Sequence, residues 1–226
     1  NLVFHGELGH NYLAIKNFVA KREIPLLGPP TSHPWLSFGP LFYWIFAPIL
    51  VLFDFNPVAG GYFFAVVGVL TIIINFFVIK IFFSNKVAAF FSYLIAISPM
   101  WLDLARQARF FSLVTLFFYP FFYFLLMFKL FWAGLFFGIM LNFHLTPIIL
   151  IPPLILFLYL RKKLFKGGLF KFLLGVLIPN VAFIIYNATH NFEMLAKLLI
   201  WIPYRVAGFI GLFPKNNLTT VTLQAN

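Results

Sequence analysis

Long stretches of this 226-residue chain carry no charged side chain, and they limit the folds that it can adopt. A helix that crosses a bilayer needs about 20 apolar residues, and charges are costly at the bilayer centre, so such runs predict membrane spans. Short charged segments delimit five of them, at residues 58–80, 87–102, 110–128, 130–160 and 172–189. The sequence therefore predicts an all-α, polytopic membrane protein.

The fourth run is too long for one membrane helix, because a helix rises about 1.5 Å per residue. It is interrupted by the sequence NFHLTP and by Pro152 and Pro153, and proline breaks helices. We expect two short passages that turn at His144. The chain would then form a bundle of about six spans over residues 58–189.

The composition supports a membrane protein and excludes other classes. The chain is 63% hydrophobic and 9% charged, and a soluble domain cannot cover that much apolar surface with so few charges. Its net charge of +11 does not indicate a nucleic-acid partner, because the lysines lie beside apolar segments. The absence of cysteine excludes disulfides and thiol chemistry.

The charged residues divide between the two ends of the predicted spans. If each span crosses once, one side receives eight cations, namely Lys80, Lys86, Lys129, Arg161, Lys162, Lys163, Lys166 and Lys171. The positive-inside rule makes this side cytoplasmic. The other side receives every acid and histidine, namely Glu7, Glu23, Asp54, Asp103, Glu193, His5, His10, His33, His144 and His190. A structural protein has no reason to collect its proton-active residues on one face, whereas an enzyme that works at the outer leaflet does. We therefore predict a multi-pass plasma-membrane protein with its active site on the extracytoplasmic face.

Residues 1–57 are predicted to form an extracytoplasmic loop with interfacial or re-entrant helices. Residues 35–53 are apolar and long enough to span, but Pro40 and Pro48 interrupt them. This favours a re-entrant or interfacial helix pair over a membrane span.

An apolar stripe at helical spacing predicts an interfacial helix over residues 10–22, formed by Tyr12, Ile15, Phe18 and Val19. At the other end of the chain, residues 190–226 are predicted to be an extracytoplasmic or interfacial segment. Residue 1 is Asn rather than Met, so we interpret the sequence as a partial chain.

The motif HGELGH at residues 5–10 places the carboxylate of Glu7 in a predicted loop ahead of this helix. Such a carboxylate either favours a helix start or acts as a general base, with Gly6 and Gly9 allowing a substrate to approach closely. Glu7 and His10 are also candidate ligands for a divalent metal ion, although this spacing is not a specific metal signature. No other cofactor is indicated.

Arg106 and Arg109 would share a helix face if the loop around them is helical. Guanidinium groups bind phosphate oxygens bidentately, although two arginines at a helix end can also snorkel to the membrane surface. Asp103 is spaced to pair with Arg106. His144 and His190 are each either a site residue or a hydrogen-bonded residue at a helix end.

Five segments occur in an order that resembles a known family. They are FHGELGHNYLAIKNF, LLGPPTSH with FGPLFYWIFAP, SPMWLDLARQARFFSL, GIMLNFHLTPIILIP and NATHNF. This order is similar to that of polyprenyl-phosphate-sugar-dependent glycosyltransferases of the C-type membrane fold. The most similar group contains dolichyl-phosphate-mannose protein mannosyltransferases and aminoarabinose transferases, and the resemblance covers most of residues 4–193.

The resemblance implies C-type glycosyltransferase architecture and an inverting hexosyl- or pentosyltransferase. Such an enzyme moves a sugar from a polyprenyl-phosphate donor to an extracytoplasmic lipid, glycan or protein acceptor. Glu7 matches the catalytic acidic position, and Arg106 and Arg109 match a loop that holds the donor phosphate. The further site-lining residues are His5, His10, Gly39, Pro40, Asp103, His144 and His190. Relatives usually have Asp at the first position and often Lys before the Pro-Leu pair, so the chain departs from the family pattern at both positions.

The alternative function is a lipid-linked-sugar flippase, or another polytopic transporter without transferase activity. Transporters tend to place ionisable residues at the bilayer midplane and to contain internal repeats. The sequence shows neither feature, so it favours the transferase.

Overall fold

All regular secondary structure in the described part of the chain is helical. The structure is a computed structural model that describes residues 6–106, 109–110, 112–161 and 167–212. Its helices are α1 (Gly6–Lys21), α2 (Leu41–Leu52), α3 (Val58–Phe82), α4 (Asn85–Ile97), α5 (Pro99–Arg106), α6 (Ser112–Leu126), α7 (Leu130–Phe143), α8 (Ile151–Leu160), α9 (Leu169–Leu177), α10 (Val181–Thr189) and α11 (Glu193–Phe209). Short 3₁₀ helices at Thr146–Leu150 and Ile178–Asn180 precede α8 and α10. The prediction of an all-α chain is confirmed.

Two helices in the described residues are long and apolar enough to cross a membrane. They are α3, with 25 residues, and the stretch Leu169–Thr189 that α9 and α10 form together. Helices α4 and α5 would form a third, but they are bent by 64°. The bend follows from Pro99, because the residue before a proline is pushed into an extended conformation, as Ser98 is here.

Four further apolar helices are shorter than a full span, at Leu41–Leu52, Ser112–Leu126, Leu130–Phe143 and Thr146–Leu160. The predicted break in the fourth apolar run is confirmed, because α7 ends at Phe143 and His144 is extended. Pro152 and Pro153 lie in the first turn of α8, where a missing N–H costs nothing. The larger number of crossings stays a prediction.

Helix α7 lies at the centre of the bundle and packs against α6 and α9. Helices α6 and α7 are antiparallel, since the Phe117 ring lies 5.7 Å from Phe143 while the Phe124 ring lies 5.5 Å from Phe136. These stacked rings fill the interface along its length.

Three glycines, which we call the glycine seam, let α7 and α9 approach closely. A β carbon at Gly134 would overlap the backbone of Phe172, and one at Gly138 would overlap the carbonyl of Val176. Gly175 of α9 faces the backbone of α7 in the same way. Contact positions increase together along both helices, so α7 and α9 are parallel. Small residues four positions apart are a common means of close helix packing in membranes.

Two hydrophobic clusters lie at opposite ends of the bundle. The first-loop cluster joins α1 and α2 to the starts of α3 and α6 and the end of α7, and contains Leu8, Tyr12, Ile15, Phe38, Phe42, Tyr43, Phe46, Leu50, Ala59, Phe64, Val67, Phe110, Leu113 and Phe143. The cation-end cluster joins the end of α6 to the start of α7, to α8 and to α9, and contains Phe121, Leu125, Leu130, Ala133, Phe137, Met140, Leu154, Leu158 and Phe172.

The described cations of the predicted cytoplasmic side lie at the end of the bundle away from α1 and α2. Phe82, at the end of α3, contacts Phe122 and Tyr123 near the end of α6, so both helices end on this side. The cations placed there are Lys80, Lys86, Lys129, Arg161 and Lys171, all exposed. Lys162, Lys163 and Lys166 lie outside the described residues.

Helix α1 begins at Gly6, earlier than the predicted start at residue 10. The predicted loop is therefore wrong for residues 6–10, the described part of HGELGH. Glycines favour loops in isolation, but the buried face extends back to Leu8, and tertiary packing outweighs intrinsic propensity. Glu7 lies in the first turn, where a negative charge is favoured by the helix dipole.

Residues 35–53 contain one helix rather than the predicted pair. Helix α2 has 12 residues, so it is about 18 Å long and shorter than the hydrocarbon core of a bilayer. The chain before it folds back on itself, because the Gly28 N–H donates to the Phe38 carbonyl and the Thr31 N–H donates to the Leu36 carbonyl. These bonds keep residues 35–40 out of a helix.

Candidate functional site

Phe38 lies where residues 22–40 between α1 and α2, which we call the first loop, meet the bundle. Its ring is 5.5 Å from the ring of Phe110 and 5.7 Å from that of His144. Arg109 directly precedes Phe110. The His144 ring and the backbone of Arg109, next to Phe110, therefore both lie near one buried aromatic ring.

Gly39 and Pro40 follow Phe38 and are both buried. Gly39 packs directly against the side chain of Asn142 in α7, two residues before His144. We call Gly39, Pro40, Arg109 and His144 the candidate site. The sequence predicted all four residues but not the contact with Asn142, for which the only signal was the spacing of Gly134, Gly138 and Asn142.

Arg109 lies between α5 and α6 and is partly buried. Its carbonyl accepts hydrogen bonds from the backbone N–H of Ser112 at 3.0 Å and from the Ser112 hydroxyl at 2.7 Å, which fixes its backbone before α6. Helix α5 ends at Arg106, so the two arginines do not share one helix face as a helical loop would require. The Arg106 side chain lies outside the described residues.

Thr146 fixes the tautomer of His144. The backbone N–H of Thr146 donates to Nδ1 of His144 at 3.1 Å, and the Thr146 hydroxyl contacts the same nitrogen. Because Nδ1 accepts, the proton of the neutral ring lies on Nε2. Neutral His144 can therefore donate a hydrogen bond through Nε2 to a phosphate or hydroxyl oxygen.

Glu7 lies on the exposed side of α1, and its neighbour Leu8 belongs to the first-loop cluster. Tyr12 fixes the helix in place, because its hydroxyl accepts from the Gly60 N–H at 2.8 Å and donates to the Pro57 carbonyl at 3.1 Å. Helix α1 is thus held at the start of α3 with the Glu7 carboxylate turned away from the packed face. This carboxylate is therefore exposed to solvent.

The predicted metal ligands Glu7 and His10 are both exposed and lie one turn apart on α1. His5 lies outside the described residues. Among the residues that are described, no group of three or more His, Asp or Glu side chains could hold a metal ion. A metal ion at Glu7 and His10 stays a prediction with two described ligands.

Asp103 is exposed on α5.

His190 follows the last residue of α10. The His190 ring stacks on Tyr186 with centroids 4.1 Å apart, and Nδ1 lies 3.0 Å from the Tyr186 carbonyl oxygen. These contacts lie within its own helix end and favour a structural role for His190.

His33 connects the first loop to α11. Its ring lies 5.5 Å from Trp35 and 5.3 Å from Tyr204. Burial, and then the positive charge of Arg205, lower the pKa of His33 below its usual value. His33 is therefore neutral near pH 7.

An apolar groove of 210 Å³ lies between α3 and the bent α4–α5 pair. Gly68 and Ile72 line it on α3, and Trp101 lines it on α5. Ala105 and Ser112 also line it, and Arg106 and Arg109 lie between them in the chain. The pattern of apolar runs did not predict this groove, although Pro99, which causes the bend, was a visible signal.

No protein-family model, no curated protein and no solved structure matches the chain.

Proposed function

We propose that the protein is a membrane glycosyltransferase of the C-type fold that transfers a sugar from a polyprenyl-phosphate donor to an extracytoplasmic acceptor. The observation that carries this proposal is that Ala105 and Ser112 line the apolar groove, because these residues flank Arg106 and Arg109 in the chain. A polyprenyl-phosphate sugar needs an apolar surface for its tail and cations for its phosphate. The groove offers the apolar surface, and the arginines between its lining residues in the chain offer the cations.

The donor tail lies in the groove between α3 and α5. The groove is lined mainly by apolar side chains, and α3 is one of the two helices able to cross a membrane. A lipid tail can enter it from the bilayer without crossing water.

The donor phosphate is bound by Arg109 and Arg106. Nε2 of His144, whose ring also contacts Phe38, donates a further hydrogen bond to a phosphate oxygen. When the sugar leaves, negative charge develops on this phosphate, and cations and donors placed there in advance stabilise it.

Glu7 is the general base of the reaction. An acceptor hydroxyl or amine attacks the anomeric carbon, the bond from that carbon to the phosphate oxygen breaks, and Glu7 takes the acceptor's proton. Polyprenyl phosphate is the leaving group, and the configuration at the anomeric carbon is inverted.

The site faces the extracytoplasmic side of the plasma membrane. The exposed cations Lys80, Lys86, Lys129, Arg161 and Lys171 lie at the opposite end of the bundle, and positive charge favours the cytoplasmic side. The donor thus reaches the site as a lipid, with no need for a cytosolic nucleotide sugar.

The groove also suits a lipid-linked-sugar flippase, which would carry the whole donor across the bilayer. A flippase would move the sugar without breaking its bond to phosphate. The two functions therefore differ in whether label leaves the donor.

The test incubates vesicles that contain the protein with a radiolabelled polyprenyl-phosphate sugar and a membrane extract as acceptor source. We expect label on lipid, glycan or protein, and turnover about 10²–10⁴-fold lower in Glu7→Gln, because the amide cannot accept a proton. Donor binding should persist in this variant. Glu23→Gln, at an exposed acid just after α1, is the matched control and should transfer normally.

Normal turnover in Glu7→Gln would remove Glu7 from the mechanism. Movement of intact donor across the bilayer, without transfer, would support the flippase instead.

A further inference from the structure

Asn142 is fully buried at the end of α7, with a relative exposure of 0%. Its Nδ2 lies within hydrogen-bond distance of three oxygens, the carbonyls of Gly138 at 3.1 Å and Pro179 at 3.2 Å and the Oδ1 of Asn180 at 3.0 Å. Asn180 donates in turn to the carbonyls of Gly138 and Val176. Since the partners of Nδ2 are all acceptors, the orientation of the Asn142 amide is fixed.

The other end of this amide faces the first loop. Oδ1 of Asn142 is buried and has no hydrogen-bond donor among the described residues. It lies against Gly39, where a β carbon would overlap both Oδ1 and Cγ of Asn142. Glycine at residue 39 is therefore required by this contact, in which a Cα–H group meets the amide oxygen.

Pairing of α7 with α9 accounts for the bonds of Nδ2 but not for the placement of Oδ1. A buried oxygen without a hydrogen-bond donor is unfavourable, and an alanine or leucine at residue 142 would avoid this cost. Helix pairing alone therefore does not explain the buried Oδ1. The fixed Asn142 amide instead provides a contact surface for Gly39. Phe38, next to Gly39, is then held against Phe110 and His144.

We propose that Asn142, oriented by Asn180, is a positioning residue that seats Gly39 and Pro40 in the candidate site. It links the site to the α7–α9 pair without contacting substrate. Its effect on catalysis rests on the proposed function, whereas its effect on the loop does not.

Hydrogen exchange of the loop amides tests the contact directly. The Gly28, Thr31 and Phe38 amides donate backbone hydrogen bonds within the loop, so they report its seating. We expect them to exchange about tenfold faster in Asn142→Ala and in Gly39→Ala. The matched control is Asn75→Ala, since Asn75 is also buried and bonds Ser92 between α3 and α4, outside the candidate site. In Asn75→Ala, the Gly28, Thr31 and Phe38 amides should exchange at the wild-type rate.

The double variant Gly39→Ala with Asn142→Ala separates seating from general destabilisation. The new methyl group at residue 39 fits the space that Asn142 leaves, so the combined effect on loop exchange should be clearly smaller than the product of the two single effects. Multiplicative effects would overturn the proposal. So would an equal acceleration of α3 and α4 amides in Asn142→Ala, because that would show loss of the whole bundle.

Donor kinetics then test the catalytic consequence. Asn142→Ala should lower kcat/KM about tenfold, and Asn75→Ala should leave it unchanged. If the loop is released but transfer is unaffected, Asn142 is not a positioning residue for the reaction. If the wild type itself transfers no sugar, the proposed function fails while the exchange result still decides the contact.

Discussion

Arg109 is the only arginine among the described side chains that is not exposed. A partly dry guanidinium forms stronger hydrogen bonds to phosphate than one in water. We expect Arg109→Ala to weaken donor use by about 1.5–3 kcal/mol, and Arg109→Lys to restore part of it, because lysine keeps the charge but lacks the planar fork. The measurement is kcat/KM for the donor.

Arg161→Ala is the control for this arginine. Arg161 is exposed at the cation end and lies over the rings of Phe128 and Phe157. Its loss should leave donor kinetics unchanged. Equal donor kinetics in wild type and Arg109→Ala would show that Arg109 only supports the helix ends around it.

The contact of His33 with α11 is expected to stabilise the protein in a pH-dependent way. Its folded-state pKa lies below the unfolded value of about 6.5, so the unfolded chain binds a proton more readily. The stability that neutral His33 contributes is present above about pH 6.5 and is lost as the pH falls through that value towards the lower folded pKa. The unfolding temperature of the wild type should therefore fall over this range.

The variant His33→Gln isolates this effect from other titrating groups. Glutamine keeps polarity but does not titrate, so the difference in unfolding temperature between wild type and variant should shrink below pH 6.5. A difference that is constant from pH 5 to 8 would contradict the prediction.

At the scale of helices, the glycine seam decides how closely α7 and α9 approach. A methyl group at Gly134 would overlap the Phe172 backbone, so Gly134→Ala should destabilise the protein by about 1–3 kcal/mol. Gly208 of α11 is the matched control, since nothing lies within 4 Å of a β carbon there. Gly208→Ala should be neutral or stabilise by up to about 1 kcal/mol, because alanine is the better helix former. Unfolding of both variants in detergent measures the difference, and equal stabilities would contradict close packing at the seam.

The helices show what could be predicted from sequence and what could not. The bounds of α3 and the break at His144 were predictable, since charges and a polar segment mark the ends of apolar runs. The start of α1 was not, because the local glycines indicate a loop and only the burial of Leu8 reveals the helix. In the site, residue types pointed to Arg109 and His144, and the family resemblance pointed to Gly39. Their meeting around Phe38 depends on loop folding that no local pattern encodes.

At the scale of the whole molecule, the separation of charges predicts the orientation in the membrane. The chain contains no cysteine, so single introduced cysteines report sidedness without background. Cysteines at Ser84 and Lys129 should react with an impermeant maleimide only from the cytoplasmic side, and those at Lys16 and Ser32 only from outside. All four positions are exposed. Labelling of positions 32 and 129 from the same side would contradict the proposed orientation.

The parallel contact of α7 with α9 imposes an order on assembly. Helix α8 lies between them in the chain and runs back along the bundle, since Arg161 at its end returns to Phe128 before the start of α7. The face of Gly134 and Gly138 therefore has no partner until α9 has been synthesised, and the helices must insert before they pair. A nascent chain stalled before residue 169 would present this bare face to lipid and to membrane chaperones.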